Sequence, residues 1–195
     1  MILTGNEIYN QVKKGKIHSS PFSSENLNPN SYNFRLGNEI KIYTEKILDP
    51  MKKNKYRKII IPDEGLVLQP NQLYLGHTIE EMGSDFFVPI MQARSSVGRL
   101  GLYIYLNSGL ADLGFKRQWT LELHVIHPLR VYPGMKVGQM LFWKPLGKIT
   151  LYQGKYKDAV VPQSSQIWRD FIPKIQKGRI PIPSPRRVSF FLRGG

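Results

Sequence analysis

The sequence predicts a mostly β chain, a barrel or jelly-roll-like sandwich carrying one N-terminal helix, and three observations support that class. Short β-branched or aromatic apolar runs recur from residue 32 to residue 152. Gly, Pro, Asn and Asp punctuate them at spacings that suit antiparallel turns. A single helix start is convincing: Thr4 followed by Glu7 forms a capping box, and Ile8 and Val12 lie one turn apart before Lys14-Gly15.

The elements follow in order. Pro21 and Pro29 bracket a Ser- and Asn-rich loop. Tyr32, Phe34 and Leu36 alternate with Asn33 and Arg35 up to Gly37, the period of a half-buried strand, and Ile40, Ile42 and Ile47 continue in the same manner. Further strands are expected at 58–61, 65–68, 72–76, 86–91, 102–106, 119–126, 140–143 and 149–152, with turns at Asn107-Ser108-Gly109, Pro133-Gly134 and 145–147. Pro173, Pro181, Pro183 and Pro185 forbid a continuous helix or central strand near the C-terminus, so residues 1–170 are read as the folded domain and 171–195 as a basic, Pro-rich tail.

Composition bounds the function. The chain has 195 residues and a mass of 22.5 kDa, with 28 Lys and Arg against 14 Asp and Glu, a net charge of +14. Such a length buries roughly 70% of its unfolded surface, enough to fold without a staple. The absence of Cys excludes disulfides, iron–sulfur clusters, thiol catalysis and the zinc deaminases that hold their metal with Cys. No signal sequence or membrane-spanning run is visible, and a cytoplasmic protein is expected. The charge points to anionic ligands, nucleotide or nucleic acid, without choosing between them. Lys52, Lys53, Lys55, Arg57 and Lys58 form one basic cluster and the tail another, and both read first as solvated surface.

Chemistry concentrates in two places. Residues 94–102 bring Arg94, Ser95, Ser96 and Arg99 together around Gly98, paired guanidinium and hydroxyl donors that suit phosphate oxygens, although this is not a Walker loop. Two acids stand out beyond it. Asp112 follows the turn at Gly109, and Glu122 lies in an apolar strand where strict alternation puts it on one face with Thr120 and His124, and Leu121 and Leu123 on the other. That face is either solvated or the lining of a pocket. His124 and His127, three apart with Pro128 next, are poorly spaced for a shared metal, and no protein-held metal is expected.

Several ordered blocks resemble the deoxycytidine triphosphate deaminase family, within the superfamily of trimeric deoxyuridine triphosphatases. They are Pro29-Asn30-Ser31-Tyr32-Asn33-Phe34-Arg35-Leu36-Gly37, the block from Ala93 through Arg94-Ser95-Ser96-Val97-Gly98-Arg99 to Leu102, then Ser108-Gly109-Leu110-Ala111-Asp112, Thr120-Leu121-Glu122-Leu123 and Pro133-Gly134-Met135. The resemblance implies a homotrimer of distorted jelly-roll, dUTPase-like β-barrels with active sites between subunits. It also implies metal-free conversion of dCTP and water to dUTP and ammonia. Glu122 then takes the place of the general acid/base, with Ser95 and Arg99 positioning it and the water. Arg94 and Ser96 hold the triphosphate, whose Mg²⁺ serves the phosphates. Asn107, Ser108 and Gly109 face the base and sugar, and Lys155, Tyr156 and Gln163 belong to a late substrate-closing segment.

Asp112 matches the acid that, in triphosphatase and bifunctional relatives, activates water against the α-phosphate. A bifunctional deaminase/diphosphatase, or a diphosphatase alone, releasing dUMP and pyrophosphate, therefore stays open. So does a non-catalytic nucleotide- or nucleic-acid-binding protein on the same fold. The chain departs from the family at Arg117, where Gly is usual, at Ala111 in place of Ile, and at Ala159 in place of a Gln, for which Gln163 is the substitute.

Overall fold

The computed structural model describes residues 1–106, 109–159 and 161–172. In chain order the elements are α1 (Gly5–Lys13), β1 (Ile17–Ser20), β2 (Leu27–Asn28), β3 (Ser31–Arg35), β4 (Glu39–Tyr43), β5 (Tyr56–Ile60), β6 (Leu66–Leu68) and β7 (Tyr74–Ser84). Then come β8 (Val88–Ala93), α2 (Ser95–Gly98), β9 (Leu102–Tyr103), β10 (Arg117–Val125), β11 (Leu129–Val131) and β12 (Lys136–Trp143).

Thr4 caps α1 by accepting the Glu7 N–H at 3.4 Å. Half of the capping box forms, because the Glu7 carboxylate accepts from Asn10 and Gln11 instead of turning back. The Gly5 N–H donates to Pro29 O at 2.8 Å and sets the helix start against the β2–β3 connection, while Ile8 is buried in the core.

All pairings are antiparallel. The larger sheet runs β5-β4-β7-β10-β9 with β1 added on β7, a second runs β2-β3-β12-β8, and β11 pairs with β6. Their inner faces share one apolar core in which Phe34, Leu36, Leu121, Leu123, Val125, Val137 and Phe142 are buried. Gly138 permits that packing, since a Cβ there would stand 2.2 Å from the Phe34 ring.

The expected barrel is not found. Among the described strands no sheet closes on itself: the larger one ends at β5 and β9, and the second at β2 and β8. The edge strands explain why. β9 and β2 are two residues long, too short to carry a closing ladder, and β5 presents exposed Arg57 and Lys58, a device that discourages further pairing. The mostly β reading and the short N-terminal helix stand; the closed dUTPase-like β-barrel gives way to open sheets around a common core.

Smaller differences have local causes. The strand at Tyr32 is buried on both faces from Ser31 to Phe34, since α1 and the opposing sheet both cover it. Ile47 lies outside β4 and is 78% exposed. Residues 149–152 form no strand; the Tyr152 N–H donates to Leu113 O at 2.8 Å, but no ladder follows. β7 runs on to Ser84 through Glu80, whose buried carboxylate accepts the Arg35 backbone N–H at 2.8 Å and Arg35 Nε at 2.6 Å. That ion pair ties β3 of one sheet to β7 of the other. The expected tail lies outside the described residues beyond residue 172.

Candidate active site

β10 places the site. Its alternation sends Leu121, Leu123 and Val125 into the core, while Gln118, Thr120 and Glu122 line a cavity of about 760 Å³. The face is thus a pocket wall rather than open surface. His124 lies farther along it, tilted against Tyr103, and is not part of the lining. Glu122 sits opposite Leu75 of β7; its backbone N–H donates to Ile104 O at 2.9 Å, and its Oε2 accepts the Leu106 N–H at 3.0 Å.

The opposite wall follows β8. Gly109 packs so tightly that a Cβ would stand 2.0 Å from Met91 O, and the Met91 N–H donates to Gly109 O at 2.8 Å. Ala111 N–H donates to Pro89 O at 3.0 Å. This ladder-like run delivers Asp112 to the same cavity as Glu122. Phe115 and Trp119, with ring centroids 4.4 Å apart, and Tyr152 add an aromatic side.

A strap crosses the mouth at residues 161–167. Lys41, buried in β4, donates from Nζ to Pro162 O and lies 4.6 Å from the Tyr56 ring centroid. Gln163 N–H donates to Thr120 Oγ1 at 2.9 Å, Ser165 N–H to Tyr43 Oη at 2.7 Å, and Gln166 N–H to Tyr156 Oη at 2.9 Å. Burial pushes the Tyr43 phenol above its ordinary range; the Ser165 N–H pulls the other way, and neighbouring Tyr156 and Glu122 add to the rise.

The fold therefore brings together Glu122, Asp112, Tyr156 and Gln163 at one cavity, with Ala159 also on its wall. Lys155 lies beside the strap in an ion pair with Asp170. Arg117 points away from the cavity and lines a separate pocket with His18, Ser19 and Glu81. Asn107 and Ser108 lie outside the described residues. Ser95, Ser96 and Arg99, on and just after α2, are exposed and belong to no wall of the cavity in the same chain; Arg94 precedes them as the N-terminal cap residue. Among the described lining residues none is Lys or Arg.

Sequence reasoning missed Tyr43 and Lys41. Both sit on an apolar-looking strand, and their partners are more than 100 residues away. No local pattern marks them.

Comparison with known proteins matches this arrangement to a family. The model described as "dCTP deaminase-like" matches residues 2–145. A "dCTP deaminase, dUMP-forming" of Hathewaya histolytica is 46% identical over 88% of this chain and 99% of its own length. The protein of the same name from Clostridium acetobutylicum is 43% identical over 88% and 99%, and that from Leptospira biflexa 44% over 88% and 98%. A crystal structure of 2'-deoxycytidine 5'-triphosphate deaminase from Agrobacterium tumefaciens shares the fold at a TM-score of 0.57 and 18% identity, over 72% of this chain and 47% of that one. Among the described residues no helix is long and apolar enough to cross a membrane. With a match across 2–145 and relatives aligned over nearly their full length, the chain belongs to the dCTP deaminase-like family of hydrolases, within the deoxyuridine triphosphatase-like superfamily.

Proposed function

We propose that this enzyme converts dCTP and two waters to dUMP, ammonia and pyrophosphate. The expectation that the reaction stops at dUTP and ammonia is corrected: the relatives from Hathewaya histolytica, Clostridium acetobutylicum and Leptospira biflexa, 43–46% identical, each carry the name dUMP-forming. The observation that carries the two-step reading is the meeting of Glu122, on β10, and Asp112, on the connection that precedes β10, at one cavity.

In the first step Glu122 takes a proton from water as the oxygen adds to cytosine C4. It passes protons to N3 and then to the exocyclic amine, so that the C4–N4 bond breaks and ammonia leaves. In the second step Asp112 takes a proton from another water as it attacks the α-phosphorus, and the bond to the bridging oxygen breaks to release pyrophosphate. Tyr156 and Gln163 bring polar groups to the phosphate side as the strap closes, and Lys155 stands at its edge. Gly109 stands on the base side, and Asn107 and Ser108, expected to face the base with it, lie outside the described residues. The Mg²⁺ expected here arrives with the triphosphate as part of the substrate.

A triphosphate needs cations, and the described lining has none. The missing donors are supplied, on this reading, by Arg94 and Ser96 of a neighbouring subunit in a homotrimer, whose Ser95 and Arg99 position Glu122 and the attacking water. Two features favour it: the exposure of Ser95, Ser96 and Arg99, and the apolar surface near them, with Leu100 52%, Tyr103 51% and Ile126 61% exposed.

A product-resolved assay tests the reaction. Incubation with dCTP is expected to give ammonia, dUMP and pyrophosphate in equal amounts. Accumulation of dUTP as the final product, or turnover of dUTP but not of dCTP, overturns the proposal.

A further inference from the structure

The basic run at 52–58 has no place in the reaction above, yet it adjoins residues that line the cavity. Residues 44–55 connect β4 to β5, and Leu48, Pro50 and Asn54 of this connection line the cavity. The connection is a built structure. Buried Asn54 accepts the Asp49 N–H at 2.9 Å and donates to Asp49 O at 2.9 Å, while Asp49 accepts the Met51 N–H at 2.9 Å. Glu45 accepts the Lys55 N–H at 2.9 Å and closes the base of the loop.

Cations crowd this frame. Lys52 pairs with Glu45 at 3.5 Å and Lys58 with Glu39 at 3.2 Å. Lys46, Lys53, Lys55 and Arg57 are exposed and make no ion pair with a described carboxylate. Inside, the same cavity presents Asp112 and Glu122 without a described Lys or Arg. An approaching polyanion therefore meets attraction first at this rim, before it reaches the cations that a neighbouring subunit supplies on the reading above.

We propose that the β4–β5 connection, together with the start of β5, is an anion-collecting rim that captures the triphosphate end of the nucleotide and raises its local concentration beside the cavity. This rests on the deoxynucleotide reading above. Clustered like charges beside a low-dielectric cleft focus the field outward, and mobile salt screens it beyond about 10 Å at 0.1 M. The signature is consequently a salt dependence confined to substrate capture.

The test compares wild type, a rim variant (K46Q/K53Q/R57Q) and a control that loses the same charge far from the cavity lining (K13Q/K14Q/K144Q). For each, kcat/KM and the calorimetric Kd for dCTP are followed from about 20 to about 300 mM NaCl. The rim variant is expected to lose about five- to tenfold at low salt and to converge on wild type at high salt, with the control staying near wild type. Convergence also shows that the variant is folded. Equal behaviour of rim and control variants overturns the proposal. So does an unchanged dCTP response accompanied by lost binding of a fluorescent single-stranded oligonucleotide, which would assign the patch to nucleic acid. Absence of dCTP turnover by wild type defeats the reaction reading instead, and the Kd series still decides the rim.

Discussion

The backbone N–H of Leu106 donates to Glu122 Oε2 at 3.0 Å, so the one carboxylate on the cavity face of β10 is oriented by main chain rather than by a mobile side chain. A carboxylate held in this way keeps a fixed direction for proton transfer. Glu122→Gln preserves an acceptor for Leu106 but cannot take a proton. Ammonia release from dCTP is expected to fall by about 10²- to 10⁴-fold, while dUTP supplied directly is still cleaved to dUMP. Measured deamination close to wild type would remove Glu122 from its assigned role.

Asp112 supplies the complementary separation. It reaches the cavity at the end of the Gly109–Ala111 run along β8, whereas Glu122 is held in the β10 ladder. Asp112→Asn is expected to let deamination proceed and to stop the second step, so that dUTP accumulates from dCTP and dUMP formation drops by about 10²-fold or more. Chromatography of the nucleotide products distinguishes the two acids: loss of both steps together in this variant would mean that Asp112 organises the site rather than activating water.

What the sequence made legible was whatever depends on near neighbours. The Thr4 cap and the alternation of Leu121 and Leu123 against Thr120 and Glu122 are written in three- and two-residue periods, and the structure follows both. Glu80 shows the limit. No local pattern singles it out, yet it is fully buried and paired with Arg35, 45 residues earlier. Lys41 is hidden for the same reason, its partner being a carbonyl 121 residues away. Closure of the sheets was misjudged because strand count is visible in a sequence, while the shortness of β9 and β2, which leaves the edges open, depends on what neighbours exist to pair.

Tyr43 gives a prediction in pH. Its phenol ionises above the ordinary value of 10.0 in the folded chain, chiefly through burial. The folded state therefore retains a proton that the unfolded state releases: the contribution is complete below about pH 10 and is lost as pH rises through the raised value. Urea melts between about pH 9 and pH 11 should show wild-type stability falling more steeply than that of Tyr43→Phe. Phenylalanine also removes the acceptor for the Ser165 N–H, so the variant starts from lower stability and a looser strap. Parallel slopes would mean that Tyr43 does not sense folding.

The exposed position of Arg99, outside the cavity that holds Glu122 in the same chain, leads to the most demanding prediction. If each site combines the cavity of one subunit with α2 of the next, Glu122→Gln and Arg99→Ala chains are each inactive alone but complementary when mixed. A site works when its cavity comes from the Arg99→Ala chain and its α2 from the Glu122→Gln chain. Random reassembly of equal amounts produces that pairing at about one site in four, because a cyclic assembly uses two different patches of each subunit at every boundary. Deamination should therefore return to about a quarter of the wild-type rate after denaturation and refolding of the mixture, and stay absent when the two chains are refolded apart. Mixed chains that remain inactive, while still co-assembling by size-exclusion chromatography, would place Arg99 and Glu122 in separate functions and leave the cavity to find its cations elsewhere.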